Sequence, residues 1–265
     1  MRNHEYWVKK DQMKVTARQH TDEMSTNYAA EITDRINRTM LYDNSNMAAR
    51  ISGGRMTVCE VVPIDVVSAI VVSAILNEKD SPKMCVLNFA SFKNPGGMFL
   101  EGSIAQEECL CHGSYLYNVL SSERLRPAYE YNRTCLNRSM YQNHAFYTPD
   151  VRFFKDNASR LCDVITCAAP NFSAAHRYCA VTKEENSRIL RSRISFVLNV
   201  MAAQNVSCPI LGAYGCGVFG QDPTEVAQIF REELTSGAYP FERAVFAIIP
   251  SDTKTLDAFK NVFEQ

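Results

Sequence analysis

The sequence predicts an α/β domain whose mainly parallel or mixed central sheet is covered by helices on both faces. Three observations carry that prediction. Short apolar runs of buried-strand character, at 84–89, 161–168, 208–213 and 244–249, alternate with helical stretches of about 10–20 residues. Near-continuous apolar strands of this kind belong to sheets buried on both faces. Glycine-rich turns also join strand ends to helix starts at two places, Asn94-Pro95-Gly96-Gly97 and the stretch from Gly212 to Gly220.

Residues 1–13 are mixed and polar and read as a loose arm, with Trp7 as its one docking candidate. Residues 14–42 read as one or two helices, because Tyr28, Ile32, Ile36 and Met40 recur at spacings of four. Gly53-Gly54 ends that region. A β-rich run at 56–62 follows, and Pro63 opens a helix from 64 to about 76. After a turn at 77–82 comes the strand at 84–89, broken by Asn94-Pro95-Gly96-Gly97, where proline fixes φ and glycine admits conformations other residues resist. Ser103 with Gln106 has capping-box spacing and starts a helical run to about 120.

Residues 121–160 show no clean period and are rich in Arg, Tyr and Asn; they read as a long excursion with one strand near 145–147. The strand at 161–168 ends at Ala169-Pro170-Asn171. Thr182 and Glu185 form a second capping box, opening a helix to about 204 with Leu190, Ile194, Val197, Leu198 and Met201 on its apolar face. Strand 208–213, helix 223–234, strand 244–249 and a helix from about 253 complete the chain. With no repeat, low-complexity tract or linker, the simplest division is an N-terminal helical extension, 1–50, and one domain, 51–265.

The 265 residues are 46% hydrophobic and 22% charged, and the net charge of −1 gives no global attraction to nucleic acid or anionic membranes. Neither a membrane nor sequence-specific nucleic acid is an expected partner, and an anionic ligand has to be held locally, by backbone N–H groups and a few basic side chains. Ten cysteines are scattered without a C-x-x-C pair, and five histidines show no metal spacing. No metal site is expected, and the thiols read as small apolar residues in a reducing compartment. The first residues lack the apolar core of a signal peptide, and the longest apolar run, 66–76, is too short to span a bilayer. The expected location is the cytoplasm, or the nucleus in a eukaryote.

Two stretches hold chemistry. Glu107 and Glu108 follow the first glycine loop. Acids near a helix start often do no more than favour its dipole, but a Pro-Gly-Gly loop feeding the helix lets a ligand come close. Asn88 and Asn94, near the strand end, suit ribose or adenine and are equally at home as turn-makers; Asn94 is included in the site because it leads into the loop. In the second stretch Gly215, Gly217 and Gly220 match G-x-G-x-x-G, and Asp222, Pro223 and Glu225 make a capped helix start. A dinucleotide fingerprint normally sits on the first strand of its unit, whereas only one strand and one helix follow here. A diphosphate on the glycine N–H groups and a glycine turn without a ligand both remain open.

Gly96-Gly97, a spacer and Gln106-Glu107-Glu108 resemble the signature of the poly(ADP-ribose) glycohydrolases, three glycines followed by Gln-Glu-Glu. The flanks VLNFAS and NPGG look like the compact microbial-type branch, and Met98 stands where the third glycine is usual. The resemblance spans roughly 50–265. It implies a macrodomain-like three-layer fold that binds ADP-ribose at the carboxyl edge of the sheet. It further implies hydrolysis of ribose–ribose O-glycosidic bonds from chain ends to release ADP-ribose, without metal or cofactor. The partners it implies are ADP-ribose and poly(ADP-ribose) on modified proteins. In that reading Glu108 protonates the leaving oxygen and then deprotonates water, Glu107 holds ribose hydroxyls, and Gln106 supports the loop that carries Gly96, Gly97 and Met98. The stretch Gly215-Cys216-Gly217-Val218-Phe219 resembles the family's diphosphate-binding segment, with Phe219 against the distal ribose. The alternatives are a reader that binds ADP-ribose without cleaving it, which has no use for both glutamates, and a hydrolase of single ADP-ribosyl units on proteins.

Overall fold

A computed structural model describes residues 2–46, 56–72 and 82–264. Its strands are β1 (Met40–Asp43), β2 (Val58–Val62), β3 (Met84–Phe89), β4 (His144–Lys155), β5 (Ala158–Cys167), β6 (Cys208–Leu211) and β7 (Arg243–Ala247). Among the described residues they form one sheet in the order β1-β4-β5-β3-β6-β7-β2. From β5 to β2 the neighbours are parallel, while β4 runs antiparallel to both β1 and β5. The expected mixed sheet is therefore present.

Alternation along β3 builds the layers. Cys85 and Leu87 point into a core shared with α8 (Lys183–Ala203), α9 (Pro223–Thr235) and α10 (Thr253–Phe263), through Leu190, Ile194, Phe230 and Phe259. Met84 and Val86 point to the other face, where α3 (Val66–Val72) and α5 (Leu116–Leu120) supply Val67, Ile70, Leu116 and Leu120. With both faces buried, every β3 side chain from Met84 to Leu87 lies in a core, which is why this strand reads as an unbroken apolar run.

Side-chain caps set the starts of five of the ten described helices. Thr182 Oγ1 accepts from Glu185 N at 3.2 Å and Asp222 Oδ1 from Thr224 N and Glu225 N at 2.9 and 3.0 Å, as expected for α8 and α9. Asn171 caps α7 (Phe172–Cys179), a helix the sequence reading missed, and Asp252 caps α10. For α3 the cap is Asp65, which accepts from Ser68 N at 2.9 Å, two residues beyond Pro63. Gly53-Gly54, the end of that helix near 76 and the turn from 77 lie outside the described residues.

Four expectations need correction. The N-terminal arm is instead part of a continuous helix, α1 (Arg2–Asn27), followed by α2 (Ala29–Arg38). Ile32 is buried on α2 and Ile36 partly so, but Met40, the last of the four-residue series, belongs to β1 and is exposed. The Ser103–Gln106 capping box does not form: α4 (Gln106–His112) starts after Ala105 without a side-chain cap and stops at Gly113, before α5. The excursion at 121–160 is more regular than its sequence, holding α6 (Arg126–Thr134) and the whole of β4. A bulge between Thr148 and Val151, with Asp150 at φ +53°, interrupts the period of β4; buried Asp163 accepts from Asp150 N at 2.8 Å and from the Tyr147 hydroxyl. No helix among the described residues is long and apolar enough to cross a membrane.

Candidate active site

A cavity of about 530 Å³ opens at the carboxyl edge of the sheet. Its floor is made by residues just beyond four strand ends, Ala90 after β3, Ala169 after β5, Ala213 after β6 and Ile249 after β7. Open α/β sheets hold ligands at this edge because the loops there diverge.

The β3–α4 loop forms one wall. Ser91 Oγ accepts from Asn94 N at 3.2 Å and Asn94 O from Gly97 N at 3.1 Å, closing a tight turn. Gly96 and Gly97 have φ of +65° and +62°, a region that penalises any Cβ. A Cβ on Gly97 would lie 2.6 Å from Glu108 Oε1 and 2.9 Å from Glu107 Oε2, so both carboxylates close on this one glycine. A Cβ on Gly96 would instead meet Tyr117 Cδ2 at 2.6 Å.

Gln106 joins the helix to the strand. Its Oε1 accepts from Phe89 N at 2.8 Å and its Nε2 donates to Leu87 O at 2.9 Å, extending the hydrogen bonding of β3 by one side-chain amide. With α4 fixed there, Glu107 turns inward, where Oε2 accepts from Ser91 N at 2.7 Å and Oε1 from Asn88 Nδ2 at 3.2 Å. Glu108 Oε1 accepts from Met98 N at 2.9 Å, and its buried Oε2 has no partner among the described residues. The two glutamates are 3% and 5% exposed. Burial pushes the Glu107 carboxyl up to about 8, against the N–H of Ser91, which favours the anion, and with the neighbouring charge of Glu108 adding to the rise. Asn88, open in the sequence to ribose, adenine or a turn, is fully buried and holds Glu107.

The loop from Gly215 to Phe219 forms the facing wall. Gly215, at φ +77°, has room for no side chain, since a Cβ would sit 2.8 Å from both Ala169 Cβ and Gln221 Cγ. Buried Gln221 anchors the loop, donating to Pro170 O at 2.8 Å and exchanging bonds of 2.8 and 3.0 Å with Asn186. Gly217 faces open space, with nothing within 4 Å of a would-be Cβ. Phe219 meets Tyr141 edge-on at 6.0 Å, and Tyr141 stacks on Phe92 at 4.4 Å. Burial pushes the Cys216 thiol up to about 12, so it stays neutral.

Gly97, Met98, Gln106, Glu107, Glu108, Gly215, Cys216, Gly217, Val218 and Phe219 all line this one cavity, although their two loops lie more than a hundred residues apart. Asn94 and Gly96 do not line it; they shape the turn behind it. Met98 has φ −112°, open to any residue, so nothing in the backbone demands glycine there. Ser91, Lys93, Tyr141 and Asn171 also line the cavity and were missed. Ser91 contributes a backbone N–H, which has no sequence signal, and Tyr141 comes from the segment without a period.

The chain matches the family model of the microbial-type PARG catalytic domain over residues 10–156. No curated protein matches it significantly. Among solved structures, poly(ADP-ribose) glycohydrolase from Deinococcus radiodurans in complex with ADP-ribose is 36% identical, with a TM-score of 0.78 over 88% of this chain and 97% of that one. The enzyme from Thermomonospora curvata is 28% identical, with a TM-score of 0.83 over 96% and 100%. Its complex with the inhibitor ADP-HPD is 28% identical, with a TM-score of 0.81 over 95% and 99%. A sheet of this topology, a Gly-Gly turn closed on two buried glutamates, and these matches in sequence and structure agree: the chain belongs to the microbial-type poly(ADP-ribose) glycohydrolases.

Proposed function

We propose that the cavity binds the terminal ADP-ribosyl unit of poly(ADP-ribose), and that Glu108 is the acid and base of its hydrolysis. The observation that carries the assignment is the unequal use of the two carboxylates. Glu107 has both oxygens engaged by Ser91 N and Asn88 Nδ2, whereas Glu108 is held at Oε1 alone and its buried Oε2 has no partner among the described residues. The diphosphate lies on the N–H groups of Gly215 to Phe219, with the distal ribose against Phe219. Support comes from the ADP-ribose bound in the Deinococcus enzyme and from the match in family.

Glu108 gives its proton to the leaving ribose oxygen as the C–O bond breaks, and charge develops on the anomeric carbon as an oxocarbenium-like centre. Water then attacks that carbon while the Glu108 carboxylate takes its proton, which restores the acid. Glu107, fixed and buried, hydrogen-bonds ribose hydroxyls and orients the sugar. Cleavage starts at chain ends and releases ADP-ribose.

The test is Glu108→Gln, which keeps size and Oε1 as an acceptor but carries no exchangeable acid proton. Polymer hydrolysis should fall by about 10²–10⁴-fold. ADP-ribose, which lacks the leaving group, should change in affinity by less than about tenfold. Near wild-type turnover in the variant refutes the assignment of Glu108. Early release of long free oligomers by the wild type refutes cleavage from ends.

A further inference from the structure

The cavity takes a reacting unit inward, toward the buried glutamates, so whatever leaves must leave past the mouth. Three exposed apolar side chains line the cavity, Met98 (48% exposed) and Val218 (86%) on the opposing loops and Ile249 (50%) just beyond β7. Of the two on the loops, Met98 is the nearer to the chemistry, because its own N–H fixes Glu108 Oε1. Its side chain is not needed to shape the loop, since φ −112° is open to every residue. Phe219, by contrast, is already committed to Tyr141 inside the cavity. An exposed methionine and valine beside a carboxylic acid do little for the polar diphosphate or ribose of the bound unit, and they suit a flat apolar surface.

The geometry points to a subsite for the leaving unit: Met98 and Val218 form an apolar lip that packs on the adenine of the next residue of the polymer. This rests on the poly(ADP-ribose) hydrolase reading. The chemistry of the polymer fits it, because the oxygen that leaves belongs to the ribose that bears that adenine, so the base is carried within reach of the residue beside Glu108. Methionine suits the role, as its flexible thioether adapts to an aromatic face and the contact is favourable in itself. The lip therefore favours a nucleoside leaving group over a bare sugar or a protein side chain.

The experiment compares two glycosides that share the same scissile bond: ADP-ribose linked to the ribose of adenosine, and the same compound with the base removed. The wild type should prefer the first by about two- to tenfold in kcat/KM, the range that thioether–aromatic contacts supply. Met98→Gly should erase most of that preference, Met98→Leu should keep most of it, and Val218→Ser should lower it. A wild type without the preference overturns the lip, as does a preference that survives both Met98→Gly and Val218→Ser. Equal slowing of both glycosides by Met98→Gly also overturns it, since the methionine then acts on Glu108 through the loop. A wild type that cleaves neither glycoside refutes the parent reading, and the lip falls with it.

Discussion

Gly97→Ala tests whether the placement of Glu107 and Glu108, the pair proposed to act on the substrate, depends on one glycine. Two effects add. At φ +62° an alanine costs about 1–2 kcal/mol relative to glycine. Its Cβ would also stand 2.6 Å from Glu108 Oε1 and 2.9 Å from Glu107 Oε2, while ordinary contact begins at 3.4 Å. The Glu108 carboxylate must therefore move by roughly 0.8 Å, close to the 1 Å misplacement that costs on the order of a hundredfold in rate. Both glutamates are buried among fixed partners, so neither has an easy way to swing aside. Gly96→Ala is the control. It carries the same backbone strain, but its Cβ meets the Tyr117 ring behind the site. Urea midpoints should fall comparably for the two variants, whereas kcat on polymer, measured well below either melting temperature, should fall far more for Gly97→Ala. Turnover within about threefold of wild type in Gly97→Ala, or equal losses in both variants, refutes the idea that this close approach positions the pair.

Gly217→Ala should behave in the opposite way: with open space around the Cβ and no positive φ, stability holds or rises by up to about 1 kcal/mol, while ADP-ribose affinity, read by calorimetry, drops at least about tenfold because the methyl fills the ligand's approach. The buried Glu107 makes stability depend on pH. Its folded carboxyl titrates at about 8 against an ordinary 4.5, so the folded protein keeps a proton that the unfolded chain gives up between those values. Its contribution is thus full below pH 4.5 and is lost as pH rises to about 8, with a slope near 1.4 kcal/mol per pH unit; Glu107→Gln should remove that slope from urea midpoints measured across the window.

What the sequence made legible is chemistry that acts over a few residues. Thr182 and Asp222 announce α8 and α9 because a cap needs only its own helix. Gly97 and the Gly215–Phe219 stretch announce the site because positive φ and close approach require glycine. Gln106 shows the limit: its spacing from Ser103 imitates a capping box, but its amide bonds to the backbone of β3, a partner the local sequence does not identify. Asn94 and Asn88 were each open to a ribose or a turn; Asn94 takes the turn, and Asn88 does neither, being buried on Glu107. The first half of α1, up to residue 13, was illegible because the helix is polar all round and carries no apolar stripe, and β4 because Pro149 and Asp150 interrupt its alternation.

The polar helix α1 nevertheless completes the site from behind. Ala17 is fully buried against Phe99 and Cys111, and the Lys10 carbonyl approaches Gly102 so closely that a Cβ there would overlap it. His20 Nε2 donates to Ser114 O at 2.8 Å, and Asn118 Nδ2 donates to Thr21 O at 2.9 Å. Phe99 directly follows Met98, whose N–H holds Glu108, so the contact of α1 with Phe99 lies one peptide unit from the group that fixes the Glu108 carboxylate. This clasp combines the Ala17 methyl, close backbone contact, the His20 ring against Phe99 and His112, and a few hydrogen bonds each worth about 0.5–1.5 kcal/mol, and Met24 at its far end packs on the core of one sheet face. The side of the loop bearing Gln106 and Glu107 is fastened to β3, and the side bearing Met98 and Phe99 rests on α1. In the proposed roles, the glutamate assigned to orienting the sugar is thus held by the sheet, and the one assigned to the acid–base step is held by the segment that α1 covers.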